Sequence, residues 1–349
     1  MPRVHAFVAV ALAVTPCTGT GYAQDTQDIR VVKARLMDHD DLFVLVDTIR
    51  LDPSVLIGRI VDMDVNDKGE MLVTDDVAKA VYRFSATGQV LHDLEVEMCH
   101  PGADFGPSSA RFIGNNRTIA WDGEGSAFIF DDTGRCTDYA KSDRLIAIGI
   151  CASGDSIYAL PFPRPKHMTM SVFGHNLEFL EEVPIEPLKW PNMAVTLARS
   201  GRQLACFDDG AWYIHIYNAD ATPLRAQATA THYQHPFFVE RRRDFERLYG
   251  LRGWGEGSIV AALYNLDRAT HVILHHSLRY SGDEKYGYTI VDHENRFSGI
   301  STMSPLRHLV GSGNGMLYYK GPNESLAGGE VGNPTIIRYR FAPPQDSND

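Results

Sequence analysis

Short apolar stretches broken by polar positions, each closed by glycine, asparagine or aspartate, recur along most of the chain. The clearest unit runs Gly69-Glu70-Met71-Leu72-Val73-Thr74-Asp75-Asp76, then Ala80-Val81-Tyr82-Arg83-Phe84, then Ala86-Thr87-Gly88-Gln89-Val90-Leu91. Short β-rich runs with turn formers at both ends predict an antiparallel meander. Second strands of such units are predicted at residues 70–74, 117–121, 155–160, 203–207, 258–263 and 315–319. Third strands follow at 81–84, 127–130, 169–173, 213–217, 272–278 and 335–341. The turns ahead of the second strands carry Gly or Asn, as in Asp67-Lys68-Gly69 and Gly313-Asn314, because a tight hairpin needs positive φ. One meander cannot bury both its faces, so the copies must stack, and second-strand spacings of 38 to 57 residues suit propeller blades.

The sixth unit stops after its third strand, while a spare β run at residues 42–51 precedes the first unit. Pairing that run with 335–341 supplies the missing outer strand and removes a free edge. The expected fold is therefore all-β, a six-bladed β-propeller closed by an N-terminal strand that completes the last blade. It spans residues 24–345 as a single domain, with 346–349 a disordered tail.

The chain here resembles the NHL-repeat and TolB-like six-bladed propellers, and more closely the secreted bacterial six-bladed propeller proteins. The segment 69–75, the segment Val81-Tyr82-Arg83-Phe84-Ser85-Ala86-Thr87-Gly88 and an echo at Phe128-Ile129-Phe130-Asp131-Asp132-Thr133-Gly134 carry that resemblance. It implies an architecture and no particular reaction, since such propellers host enzymes, sugar binders and docking platforms alike.

The first 23 residues read as an export signal: Arg3, an apolar run at 6–14, and Gly21-Tyr22-Ala23 as a small-x-small cleavage site. Pro16 before Cys17 disfavours lipoprotein processing, so a free periplasmic or extracellular product is expected. The apolar run is too short to span a bilayer, and no other run reaches that length, so no integral membrane segment is expected. With 33 basic and 44 acidic side chains the chain carries a net charge of −11, which repels nucleic acid and anionic membranes. Beyond the signal, Cys99, Cys136, Cys151 and Cys206 allow two disulfides. Cys99–Cys136 is the preferred pair, since both fall in or just after outer strands of adjacent blades. The alternative is four small buried hydrophobes.

Candidate chemistry gathers where first strands begin, on the face that also holds the second-to-third-strand loops. Those starts are expected near Arg59, Arg111, Arg144, Asn192, Arg252 and Arg307-His308. A ring of guanidinium forks suits carboxylate or phosphate, with His167 added from a loop. The competing reading pairs these arginines with acids in neighbouring loops. The doublets Asp75-Asp76 and Asp208-Asp209 could hold a hard divalent cation such as calcium or cap turns. His271, His275 and His276 share a predicted strand, where alternation and length keep them from one zinc ion. A locally basic insert at 231–254 and long loops at 161–166 and 321–334 are expected on the same face. The reading that follows is an exported propeller binding a small anionic ligand, a glycan or an envelope protein partner. The alternative is a metal-dependent lactonase, lyase or hydrolase of the six-bladed type.

Overall fold

A computed structural model describes residues 35–36, 39–96, 99–102, 105–153, 156–161, 169–184, 193–197, 203–208, 213–218, 226–229, 258–266, 270–277, 286–292, 297–301, 309–325 and 331–342. The expected leader at 1–23, the basic segment at 231–254 and the expected tail at 346–349 lie outside them. The described chain is all-β, built from antiparallel meander sheets, consistent with a β-propeller. Among the described residues no helix is long and apolar enough to cross a membrane.

Strand β1 (Arg35–Leu36) and a single helical turn, His39–Leu42, precede β2 (Phe43–Arg50). One sheet then runs β3 (Ile60–Val65), β4 (Met71–Asp75), β5 (Ala80–Phe84), β6 (Val90–Asp93). The next runs β7 (Ser109–Ile113), β8 (Arg117–Trp121), β9 (Ser126–Phe130), β10 (Cys136–Lys141). A third holds β11 (Ala147–Ser153), β12 (Ser156–Pro161), β13 (Thr169–Gly174) and β14 (Phe179–Pro184). It is followed by the sheet of β15 (Met193–Leu197), β16 (Gln203–Asp208), β17 (Tyr213–Asn218) and β18 (Ala226–Thr229). Next come β19 (Ser258–Asn265), β20 (Thr270–Ser277), β21 (Tyr286–Asp292) and β22 (Phe297–Ser301), with β1 added in parallel on β22. The last sheet orders β2 beside β25 (Val331–Phe341), then β24 (Met316–Ser325) and β23 (Leu309–Gly313).

The N-terminal run therefore does join the C-terminal strand. Phe43 faces Phe341 and Arg50 faces Thr335, with one bulge between Leu45 and Asp47. First strands touch from sheet to sheet: β3 meets β7 and β23, β7 meets β11, β11 meets β15, β15 meets β19, and β19 meets β23.

Middle strands are buried on both faces, which is why they read as unbroken apolar runs. All five residues of β4 are buried, and their period of two sends them to different neighbours. Met71 and Val73 pack with Val310, Tyr318 and Ile336 of the last sheet. Leu72, between them, packs with Ala110, Ala120, Phe128 and Phe130 of the second. Phe84, Phe128 and Phe130 are fully buried, each contributing about 2 kcal/mol in area bookkeeping. The seam between β23 and β3 is closer still. A Cβ on Gly311 would sit 2.7 Å from the Met63 carbonyl oxygen, so only glycine allows that approach.

Two expectations are corrected. Residues 258–263 are the first strand of their sheet, not the second, and 270–277 the second, not the third. A Gly-x-Gly motif does not say whether the strand after it opens a sheet or continues one, and the strand that follows Gly255-Glu256-Gly257 in sequence, β19, opens its sheet. Residues 321–334 are not one long loop either: β24 and β25 continue pairing through two bulges to Ser325 and Val331. Asn333, 4% exposed, anchors this arm by accepting from Ile57 N–H at 2.8 Å. It also donates to the Asp52 and Val55 carbonyls at 2.9 and 2.7 Å.

Cys99 and Cys136 form a disulfide, with Cα atoms 5.5 Å apart and 37 residues of sequence between their positions. It ties the segment after β6 to the first residue of β10. A loop of that length implies about 4 kcal/mol of stabilisation in the chain-entropy account. Cys151 and Cys206 lie in β11 and β16.

Candidate functional site

Where β3 begins, two adjacent aspartates do different work. Asp75, at the end of β4, is fully buried and accepts four backbone N–H groups. They come from Gly58 at 2.5 Å, Arg59 at 3.0 Å, Val77 at 2.9 Å and Ala78 at 3.1 Å. It fixes the entry to β3 and the β4–β5 turn together. Asp76 points outward and takes both arms of the Arg59 fork, Nε at 2.8 Å and Nη2 closer. That hydrogen bond to Arg59 holds the Asp76 carboxyl below the usual carboxylate range. The Arg59 side chain remains 63% exposed.

A second, buried set joins β3 to β7. Asp62 and Asp64 alternate on β3 and are 2% and 5% exposed; Ser109 and Arg111 alternate on β7 at 7% and 6%. Strand β7 lies at the edge of its sheet, so its outward amides and carbonyls have no strand partner. Asp64 accepts Phe112 N–H at 2.8 Å. Asp62 accepts from Ser109 Oγ and Arg111 Nη1, and the same Nη1 donates to the Ala110 carbonyl at 2.6 Å. The guanidinium lies 5.4 Å from the Trp121 ring centroid. Asp64 thus does for one amide of this edge, and Arg111 for one carbonyl, what a neighbouring strand does inside a sheet.

Two carboxylates share one guanidinium here. Burial pushes Asp64 up to about 7, with Asp62 adding to the rise, against the pull of Arg111 and of backbone amides. Among the described residues, Arg111 Nε, Thr74 Oγ1 and Thr118 Oγ1 are buried without a hydrogen-bond partner.

At the other end of the same two sheets, Arg83, 4% exposed, bridges several turns. It donates to Glu70 through Nε at 3.2 Å and through a shorter Nη2 contact. It also donates to the Asn116 and Asp132 carbonyls at 3.2 and 3.3 Å. His92 beside it is shifted down, first by burial and then by Arg83. A shallow cavity of about 680 Å³ opens between β2 and the β24–β25 arm, lined by Thr48, Arg50, Asn323, Glu324, Thr335 and Ile337 among others.

Of the residues expected at the site, Arg59 is exposed at the start of β3, and Arg111 is buried inside β7 against Asp62. Arg144 sits in a helical turn before β11, stacked 4.3 Å from the Phe179 ring and 3.2 Å from Glu182. His167, Asn192, Asp209, Arg252, Arg307 and His308 lie outside the described residues, and Asp208 ends β16. The fifth described sheet begins with β19 at Ser258. Among the described residues no group of three or more His, Cys, Asp or Glu could hold a metal ion. Sequence reasoning missed the β3–β7 set, although acids at alternate positions of the apolar run Ile60-Val61-Asp62-Met63-Asp64-Val65 were its signal.

No family model and no curated protein matches the sequence. Solved structures do match. A Bacteroides fragilis protein described as exported is 11% identical, with a TM-score of 0.56 over 90% of this chain and 99% of its own. A member of the DUF4221 family from Bacteroides vulgatus is 10% identical, with a TM-score of 0.54 over 86% and 99%. Virginiamycin B lyase from Staphylococcus aureus is 9% identical, with a TM-score of 0.48 over 86% and 100%. At these identities the likeness is one of fold.

Proposed function

We propose that the chain is an exported six-bladed β-propeller, closed by β2, that binds an anionic ligand where its first strands begin. The succession of first-strand contacts from β3 round to β23 and back supports the ring, and the β2–β25 ladder supports its closure. Export is supported by the leader at 1–23 and by the Cys99–Cys136 disulfide, a bond that persists in oxidising compartments. The likeness to an exported Bacteroides protein agrees with it. The mature product then works in the periplasm or outside the cell.

Arg59 carries the ligand reading. Its guanidinium is 63% exposed on backbone that Asp75 holds in place, and Asp76, its side-chain partner among the described residues, is itself partly exposed. Exposed pairs of this kind are weak and exchange readily, so a carboxylate or phosphate can take the place of Asp76. A small anion, an acidic glycan and the acidic face of an envelope protein share that chemistry. Arg252, Arg307 and His308 extend the same surface in this reading.

Calorimetric titration with inorganic phosphate and with polygalacturonate tests it, on the wild type, Arg59→Ala and the double variant Arg252→Ala/Arg307→Ala. Weaker binding at unchanged thermal midpoint supports the site. Loss of stability in step with binding marks the arginines as structural. The metal-dependent alternative draws on His167, Asp209 and His308, and elemental analysis separates it: a stoichiometric, chelatable divalent ion favours the enzyme.

A further inference from the structure

Among the described residues, the three most exposed large apolar side chains are Leu56, Val331 and Val77, at 72%, 68% and 66%. Scattered singly, such residues are ordinary. These three are linked through two polar side chains. Asn333 accepts from Ile57 N–H and donates to the Val55 carbonyl, so Leu56 is held between two fixed neighbours. Val331 lies two residues from Asn333 on β25, within about 7 Å along the chain. Asp75 gathers the amides of Gly58, Arg59 and Val77 on one carboxylate. Val77 folds over Gly58, where an added Cβ would meet the Val77 Cβ at 2.8 Å. Leu56 comes two residues before Gly58, and Arg59 directly follows it. An apolar patch is thus carried on pinned backbone, with the exposed Arg59 guanidinium at its margin.

An inorganic anion or an acidic sugar would engage the guanidinium and leave Leu56 and Val77 in water. A charged bilayer as a whole is opposed by the net charge of −11. We infer, on the reading that Arg59 is the anion site, that its ligand is a single amphiphile: a carboxylate or phosphate carrying an apolar chain. The headgroup takes the place of Asp76 on the guanidinium, and the chain lies across Val77 and Leu56 toward Val331. Asp75 and Asn333 already fix the backbone beneath, which leaves little ordering cost to binding. Covering apolar surface on the ligand and on the protein together then favours longer chains.

Calorimetric titration with ethyl phosphate, octyl phosphate and octyl glucoside, each below its micelle-forming concentration, tests this. Wild type should bind octyl phosphate roughly 10- to 100-fold more tightly than ethyl phosphate, short of the ceiling that full burial of the added methylenes would set. Leu56→Ser/Val77→Ser should bind the two phosphates alike, and Arg59→Ala should weaken both. Should the double variant be destabilised, the comparison of chain lengths on wild type still decides. Equal affinity of wild type for the two phosphates overturns the amphiphile and leaves the anion site standing. Octyl glucoside binding as tightly as octyl phosphate overturns it too, because the patch then ignores charge. Binding of neither phosphate overturns the anion site and the amphiphile with it, and retention on phosphatidylglycerol vesicles in that case assigns the face to a membrane.

Discussion

Asp75-Asp76 and Asp62/Asp64 are neighbours on consecutive parts of one sheet, yet they resolve their charge in opposite ways. Asp75 is as buried as any residue in the chain, but four backbone N–H dipoles converge on it. Asp76 meets an exposed guanidinium in water. Asp62 and Asp64 sit among apolar strands and divide the Arg111 guanidinium, the Ser109 hydroxyl and the Phe112 amide between them. Depth of burial does not decide what a carboxylate can do; the supply of donors does. A turn has spare amides to offer. The edge of a five-residue strand has few.

Removing Arg111 should break that comparison hardest. Arg111→Ala leaves Asp62 without its counter-charge in a site where water cannot follow, and truncating one partner of a buried pair costs about 3–5 kcal/mol. Denaturant midpoints should show a loss of that size, greater at pH 8 than at pH 5 because Asp64, pushed up to about 7 by burial, is protonated at the lower pH. A loss below about 1 kcal/mol would mean that the seam is solvated and that its carboxylates resemble Asp76.

Asp75→Ala comes next. Four N–H groups lose their acceptor at once, but Gly58, Arg59, Val77 and Ala78 are all exposed residues, so water replaces part of what is lost. About 2 kcal/mol is expected, with Asp75→Asn intermediate because one oxygen remains. Equality of Asp75→Ala and Arg111→Ala in the same denaturation series would erase the distinction between a charge held by dipoles and one held by a single ion.

The two aspartate sets were unequally legible in the sequence. The doublet stands out because it ends an apolar run, where an acid is expected to cap a turn, and the same turn chemistry revealed the meander around it. Alternation of period two is equally visible in Ile60-Val61-Asp62-Met63-Asp64-Val65, but its meaning depends on which sheet lies opposite. Sequence spacing does not carry that information. The pairing of β2 with β25 was readable because two loose ends called for each other. The fifth unit was misread by one strand because Gly255-Glu256-Gly257 has the composition of a hairpin turn, while the strand after it, β19, is the first of its sheet. Arg111 shows the same limit from the other side: pairing with an acid was one of the two readings of the arginines, but that the acid is Asp62 on the facing strand was not legible.

The smallest expected effect is at Arg59 and Asp76. Arg59 is largely in solvent and Asp76 partly so, and the fork between them is screened by salt and offset by the entropy of holding two side chains still. Arg59→Ala, Asp76→Asn and the double variant should therefore share the wild-type thermal midpoint at neutral pH. Asp76 is shifted down by Arg59, so whatever the pair contributes is present above the ordinary carboxylate value and disappears as pH falls through the lowered one. A double-mutant cycle at pH 7 and low salt should find no coupling that survives physiological salt. If coupling does survive, Arg59 is fastened rather than available, and an anion would have to displace a structural partner to bind there. That outcome would move Arg59 into the class of Arg111 and leave the first-strand face with no exchangeable guanidinium at β3.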